Sequence, residues 1–362
     1  MGVTRIAGVA ILHCDDADLV DSPAGINGGA ALSKNLTNQR DQALRRDLVI
    51  LLIVMVVGLC VPSFLNRGLI FIAGLVWINA VFGLSFNMLF GLSGVLSFGQ
   101  AMFFAAGAYG IALLNQYQGI PFLTSLFLSG LLGGLLAVLL GWVALRRSEG
   151  VYFAILTLAF AELLHLLISN LTYFGRNDGL SGLKRPILDV LGVSIDLTQG
   201  DDFYYFIVFV CVLLIAVLRW IISTSFGRAL QALKQDPERA EFLGIPVQLH
   251  RLAAFTLAGA LTAFSGALIA PWAQIVTPEL AHWSNSTNPI LYTLLGGSAY
   301  FWGPVLGAVV LSAVFYMTRT MVGMSDLVTG GMLLAVVLAL PGGILGLLDR
   351  WFSPSRKNKG KS

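Results

Sequence analysis

Charged side chains are scarce in this chain. Only 11% of its 362 residues are Asp, Glu, Lys or Arg, and 57% are hydrophobic, whereas soluble domains carry about 25% charged residues. Cysteine is also sparse, and Cys14, Cys60 and Cys211 have no regular spacing, which gives no support to a disulfide framework. The composition excludes an ordinary soluble domain and indicates a membrane protein.

Sequence signatures of catalysis and of metal or nucleic-acid binding are also missing. The histidines have no metal-ligand spacing, and no nucleophile lies in a recognisable pattern with a base. The closing NKGKS is not a phosphate loop, because Ser355 stands where the first glycine is required. Basic residues flank apolar runs and do not form a patch with interleaved aromatics. We predict no enzyme, metal site, bound cofactor or nucleic-acid partner for this chain.

Long apolar runs are what the chain does contain. A helix needs about 20 apolar residues to cross the hydrocarbon core, where its backbone polar groups must be paired internally. The candidate spans are 48–64, 68–90, 94–114, 122–145, 151–171, 204–222, 251–273, 288–302, 303–321 and 327–348. The eighth is the shortest. The pattern predicts an all-α fold, a polytopic bundle of about ten transmembrane helices.

The distribution of Lys and Arg predicts the orientation. With ten spans and the N-terminus inside, and counting from Arg40 onward, fifteen of these residues fall on cytoplasmic segments and five on the other side. Cytoplasmic loops carry the excess of positive charge in membrane proteins. Both termini are therefore predicted to be cytoplasmic.

The two ends differ from the apolar region at 47–350, which we predict to be the membrane domain. Residues 1–46 are polar, contain Gly, Asn and Asp, and show no helical period, which predicts a disordered extension. Residues 351–362 are basic, and we expect them to form a cytoplasmic tail at the membrane surface.

A charged segment interrupts the apolar runs at 225–246, SFGRALQALKQDPERAEFLGIP. Asp236 is a capping residue, Pro237 suits the first helical position, and Gly244 suits a helix end, which predicts two short helices with an elbow at Asp236. Ala229, Ala232 and Leu233 share one apolar face, with Leu230 beside them, too small to be stable alone. We expect a partner groove to cover it; the alternative is a solvated loop.

This segment resembles the cytoplasmic coupling segment of permease subunits of branched-chain amino acid ABC importers. Further resembling motifs follow in the same order, namely GLSGVLSFGQAMFFAAGAY, EGVYFAILTLAFAELLH, NDGLSG, TPELAHWS and LLGGSAYFWGPVLGA. The resemblance implies a bacterial inner-membrane subunit that pairs with a second permease and binds two ATPase subunits, which hold Mg-ATP. A periplasmic binding protein would deliver the amino acid. A urea or short-amide permease of the same family is an alternative.

In that family the coupling segment receives ATP-driven motion from the ATPase subunits. The resemblance assigns this role to a set of small, charged and apolar residues: Gly227, Arg228, Ala229, Ala232, Leu233, Asp236, Glu241 and Gly244.

Two glycine-interrupted membrane segments, 86–110 and 288–308, occupy corresponding halves of the chain. Interrupted helices expose backbone N–H groups and half-helix dipoles, which can hold a substrate carboxylate without a permanent charge. The candidate pathway residues are Asn87, Ser93, Ser97, Gln100, Glu162, Gly296 and Gly297. Close helix packing is the competing interpretation for the glycines, and helix–helix hydrogen bonding is that for the polar side chains.

Glu162 and His165 lie three residues apart in the fifth candidate span, hence on one helical face. Ionisable residues at that depth are costly and are functional candidates. One interpretation is a structural pair; another is a proton relay in a secondary carrier, a different class of transporter. The outer loop 172–189 carries Arg176, Lys184 and Arg185, which either receive an acidic patch of a binding protein or form a solvated turn.

Overall fold

The computed structural model describes residues 47, 49–148, 150–190, 193–198, 200–318, 328, 330–331 and 342–352. The chain divides into two compact units, Met1–Val54 and Met55–Ser362. Of the first unit, the structure describes residue 47 and the helical residues 49–54. The predicted extension at 1–46, most of the tenth candidate span and residues 353–362 lie outside the described residues.

Helices account for most of the described residues, which confirms the predicted all-α class. They are α1 Val49–Phe64, α2 Arg67–Asn87, α3 Gln100–Ala112, α4 Phe122–Arg147, α5 Val151–Asn170, α6 Gly200–Ser223, α7 Ser225–Gln235, α8 Pro237–Phe242, α9 Val247–Ala273, α10 Thr287–Gly296, α11 Gly303–Thr318 and α12 Gly343–Phe352. Single π-helical turns extend α2 over Met88–Leu92 and α3 over Leu113–Tyr117. The predicted basic tail thus begins inside α12, which continues to Phe352.

The described residues also include four short strands: β1 Leu180–Ser181, β2 Ile187–Val190, β3 Val193–Asp196 and β4 Ile275–Val276. Strands β1 and β4 pair antiparallel, with Leu180 opposite Val276. Strands β2 and β3 form an antiparallel hairpin. The β1–β4 pair ties the loop after α5 to the end of α9.

Five described helices are long and apolar enough to cross a membrane. They cover Arg67–Leu92, Phe122–Arg146, Val151–Asn170, Asp201–Ser223 and Val247–Ala273. Three shorter apolar helices, Val49–Phe64, Gln100–Asn115 and Gly303–Thr318, accompany them. The described residues therefore form a multi-pass helical bundle; the count of ten spans and the orientation of the termini remain predictions.

Two candidate spans differ from the helices observed. The eighth, 288–302, contains only α10, whose ten residues extend about 15 Å at 1.5 Å per residue, too little to cross the bilayer. The third, 94–114, begins in a non-helical stretch, and its helix starts only at Gln100. Hydropathy alone does not register this break, because the residues in the stretch are as apolar as those in the helix.

Close contacts between helix backbones place α9 at the centre of this bundle. A Cβ added at Gly107 of α3 would run into the carbonyl group of Ala263, and one at Gly266 of α9 would run into that of Phe104. On α4, a Cβ added at Gly133 would meet the Ala263 Cβ. Such small residues let membrane helices approach closely and gain packing energy. Packing is the role the structure gives to Gly107.

Candidate functional site

The predicted elbow in the charged segment is confirmed. Asp236 caps α8: its Oδ1 accepts a hydrogen bond from the Arg239 backbone N–H at 3.1 Å, and its Oδ2 lies 2.8 Å from Arg239 Nε. Pro237 occupies the first turn of α8. Beyond α8, Gly244 adopts a positive φ of 82°, as helix-ending glycines do.

One face of α7 is buried inside the protein itself. Leu230 and Leu233 are 0% and 1% exposed, and Gly227 packs against the carbonyl group of Ile222. The expectation that a partner groove covers the apolar face therefore needs correction for Leu230 and Leu233, and the coupling candidate Gly227 is likewise buried in its own chain. Leu230 and Leu233 hold α7 on its own chain, while Ala229 and Ala232 are half-buried.

The outward side of the elbow carries an exposed apolar pair that the sequence patterns above did not single out. Phe242 and Leu243 are 90% and 80% exposed, and the predicted residues Arg228, Glu241 and Gly244 lie on the surface with them. The signal was present, because two large apolar residues follow a polar helix outside the apolar runs. Large apolar side chains exposed away from the membrane spans are typical of protein interaction sites.

A shallow concavity of about 440 Å³ lies between α7 and the start of α9. It is lined by Ser225, Phe226, Arg228, Ala229, Ile245 and His250. The Phe226 and His250 rings stack with their centroids 5.9 Å apart. Two of the predicted coupling residues, Arg228 and Ala229, thus line a groove on the elbow.

The polar candidates between the end of α2 and the start of α3 are all buried in the chain. Ser93, Ser97 and Gln100 are at most 3% exposed, and Asn87 is 6% exposed. Ser93 Oγ donates to the Leu89 carbonyl at 2.6 Å, and Ser97 Oγ accepts from the Gly99 N–H at 3.2 Å. These two serines therefore satisfy local backbone groups, as helix breaks require.

A buried polar chain links three helices. Gln100 Oε1 accepts from Thr262 Oγ1 at 3.0 Å, and Thr262 Oγ1 lies 2.7 Å from Ser85 Oγ. Asn87 Oδ1 and Gln100 Nε2 are buried and have no hydrogen-bond partner among the described residues. Leaving a buried polar group unpaired costs about 1–3 kcal/mol, so these two atoms are the groups in this region that gain most from a polar ligand.

Gly296 and Gly297 end α10 and turn the chain toward α11. An added Cβ at Gly296 would strike the carbonyl of Gly303, and Gly297 has a φ of 107°, a conformation that favours glycine. Tight backbone packing accounts for both residues.

Glu162 faces a different histidine from the one its sequence spacing suggested. Glu162 Oε2 lies 3.9 Å from His282 Nε2, and His165 Nδ1 lies 3.0 Å from the Pro278 carbonyl oxygen. The two histidine rings meet edge to face at 5.0 Å. His282 Nδ1 accepts from the Ser284 backbone N–H at 3.3 Å, so Nε2 carries the hydrogen of the neutral ring and faces Glu162 from beyond hydrogen-bonding distance.

The loop 172–189 uses one of its three basic residues for contacts within the chain. The Arg185 guanidinium lies over the Trp272 ring at 5.4 Å and donates to the Thr198 carbonyl at 3.3 Å. Arg176 and Lys184 are exposed, and Lys184 borders a cavity of about 350 Å³ that Asn115 also lines. Of the three, Arg176 and Lys184 are thus the cations available to a partner at this surface.

The comparisons with known proteins cover most of the chain. The sequence profile described as "Branched-chain amino acid transport system / permease component" matches residues 68–337. The chain belongs to this family. It is 31% identical to the high-affinity branched-chain amino acid transport system permease protein LivM of Salmonella typhimurium, over 84% of this chain and 76% of the relative.

Other relatives span a wider range of transported molecules. The LivM protein of Escherichia coli K12 is 30% identical over the same shares of the two chains. An autoinducer 2 import system permease protein, LsrC of Escherichia coli O9:H4, is 27% identical over 62% of this chain and 65% of its own. No solved structure shows significant similarity to the chain. Family membership thus establishes a transport permease but does not by itself identify the transported molecule.

Proposed function

We propose that this chain is one of two permease subunits of an ATP-driven ABC importer in a bacterial inner membrane, and that it carries branched-chain or related aliphatic amino acids. The similarity to the LivM proteins supports the substrate class. The observation that carries the ABC assignment is the exposed pair Phe242 and Leu243 on the α7–α8 elbow. An ATPase subunit that covers this pair would gain about 25 cal/mol for each Å² of apolar surface removed from water.

The exposed face of α5 supports the presence of a second permease subunit or of a pathway along this helix. Tyr152, Ile155 and Leu163 are 77%, 60% and 62% exposed, and the half-buried Glu162, whose carboxylate lies toward His282 of the same chain, borders this face. An ionisable group is expensive to place against lipid and is expected to face a partner or a water-filled cavity.

Between Phe127 and Leu139, the exposed face of helix α4 differs from that of α5 because the helix has no ionisable residue there. Its exposed stripe is purely apolar and consists of Phe127, Leu131, Leu135 and Leu139. A stripe of this composition suits direct contact with lipid chains. We therefore assign the lipid-facing side to α4 and the partner-facing or pathway-facing side to α5.

The proposed importer has further partners in a periplasmic binding protein and two ATPase subunits loaded with Mg-ATP. The chain would be co-expressed with its neighbouring transport genes and reconstituted in liposomes. We expect uptake of radiolabelled leucine that requires ATP and the binding protein and that persists in the presence of a protonophore. Uptake that a protonophore abolishes, without any need for ATP, would identify a proton-driven carrier and overturn the proposal.

The variant Glu162→Gln also distinguishes an ATP-driven importer from a proton-driven carrier. The variant keeps the size of the side chain and removes its charge, and the 3.9 Å separation from His282 is too long for a hydrogen bond. Even a charged pair at this exposure would contribute about 1 kcal/mol or less, so we expect uptake within about fivefold of the wild type.

The measurement is the initial uptake rate across a pH series, with the amount of inserted protein as the control. A proton relay through Glu162 would instead make the variant inactive and change its pH profile, and that result would contradict the importer mechanism.

A further inference from the structure

The break between α2 and α3 leaves carbonyl groups that need hydrogen-bond donors. The chain follows α2 through the π-helical turn Met88–Leu92 and leaves the helix at Ser93. The last carbonyls of a helix have no partner within it. The Leu89 carbonyl receives three donors from the chain that follows: the Ser93 backbone N–H, Ser93 Oγ at 2.6 Å and Val95 N at 3.2 Å.

The Gly91 carbonyl is capped from the charged segment instead. Lys234 Nζ, at the end of α7, donates to Gly91 O at 2.6 Å, across 143 residues of sequence. An ammonium group at the C-terminal end of a helix is favoured by the helix dipole, and a charged donor makes the hydrogen bond stronger than a neutral one. Lys234 is therefore a helix cap provided by a different structural element.

The lysine stem passes close to a second glycine. A Cβ added at Gly94 would lie 3.3 Å from Lys234 Cγ, and Gly94 has a φ of 72°. Partial burial lowers the pKa of Lys234 below its ordinary value, because the ammonium loses part of its hydration. Lys234 as a whole is exposed to solvent. Its ammonium group nevertheless reaches into the break and contacts the Gly91 carbonyl.

Gly91 also contacts the second interrupted segment. A Cβ added at Gly91 would meet Asn87 Oδ1 and would lie 2.8 Å from the carbonyl oxygen of Ser298. Ser298 belongs to the connection between α10 and α11, directly after Gly297. Gly91, which belongs to the first interrupted segment, therefore lies against the second and receives the hydrogen bond from α7.

We propose that Lys234 is a positioning residue that transmits movement of the α7–α8 elbow to both interrupted membrane segments through its hydrogen bond to the Gly91 carbonyl. The inference rests on the proposed function, in which ATPase subunits move the elbow. The buried residues Leu230 and Leu233 hold α7 on the membrane domain, but apolar contacts allow sliding. A short charged hydrogen bond to one carbonyl resists it.

The test compares Lys234→Met, which keeps most of the stem and removes the donor, with Lys234→Arg, which keeps a cationic donor. Both are measured in the reconstituted complex for co-purified ATPase subunits, ATP hydrolysis and amino acid uptake. Hydrogen bonds to charged groups correspond to about a tenfold effect or more. We expect Lys234→Met to lower the ratio of uptake to ATP hydrolysis about tenfold with the ATPase subunits still bound, and Lys234→Arg to restore most of this ratio.

A second measurement concerns the permease alone. Hydrogen–deuterium exchange over residues 92–99 is expected to be faster in Lys234→Met than in the wild type and near the wild type in Lys234→Arg. Should Lys234→Met fail to accumulate, Lys234→Gln, which is too short to reach Gly91, serves the same measurements.

Three results would overturn the inference: an unchanged coupling ratio in Lys234→Met, equal losses in the Met and Arg variants, or loss of the ATPase subunits from Lys234→Met. The last would make Lys234 a docking contact. A wild-type complex without ATPase subunits would refute the proposed function itself, and the exchange experiment would still decide whether Lys234 stabilises the break.

Discussion

Phe242→Asp is expected to abolish ATP-driven uptake while leaving the permease folded and inserted. Phe242 is 90% exposed, so the fold gains little from its side chain. In the proposed complex the ring enters a groove of the ATPase subunit, where an aromatic anchor contributes about 2 kcal/mol or more. An aspartate there would have to lose its hydration without a partner, which costs several kcal/mol more.

Co-purification of the ATPase with membrane-inserted variants measures this effect directly. A loss of about 4 kcal/mol corresponds to about a thousandfold in affinity, so Phe242→Asp should retain no ATPase. Phe242→Leu is the matched control, since it keeps an apolar anchor, and it should retain most of the ATPase. Charge reversal at the neighbouring exposed Glu241 should cost about 1 kcal/mol or less if it lies at the solvated rim. Stoichiometric ATPase and normal uptake in Phe242→Asp would refute the docking surface.

Gly107→Ala is expected to destabilise the membrane domain, although it adds only one methyl group. The added Cβ would lie against the backbone carbonyl of Ala263, and a backbone cannot rotate away as a side chain can. Helices α3 and α9 would have to separate, which removes the close packing that membrane helices depend on. Overpacking of this kind costs about 1–3 kcal/mol even where side chains can adjust.

The thermal aggregation midpoint of the purified permease in detergent is the appropriate measurement. We expect it to fall by about 5 °C or more. Gly68→Ala on α2 is the matched control, because a Cβ there has nothing within 4 Å, and its midpoint should stay at the wild-type value. Equal midpoints for the two variants would show that the α3–α9 contact tolerates a methyl group.

The elbow between α7 and α8 shows which features short-range sequence signals can predict. Its cap at Asp236, its proline at the first position of α8 and the glycine after it could all be predicted, because each acts on hydrogen bonds within four residues along the chain. Which side of α7 faces inward could not be predicted. An apolar face is equally suited to its own chain and to a partner, and only the packing of Leu230 and Leu233 decides between them.

In the membrane region, too, some features could be predicted from the sequence and others could not. Apolar length predicted helices, because the bilayer requires internally paired backbone, but it did not distinguish the short α10 from a full span. Contacts between distant segments, such as Glu162 with His282 and Lys234 with Gly91, were not predictable, since no local pattern specifies which residues meet.

Taken by itself, the sequence determined a helical membrane protein with one charged elbow and two segments broken by glycines, and its motifs resemble those of a permease family. Composition and short-range capping are sufficient for the helices and the elbow, because both act residue by residue. Tertiary structure alone decided that Phe242 and Leu243 point outward, that His282 faces Glu162 and that Lys234 caps the break at Gly91. These features depend on how helices pack against one another, and that arrangement is a property of the whole chain.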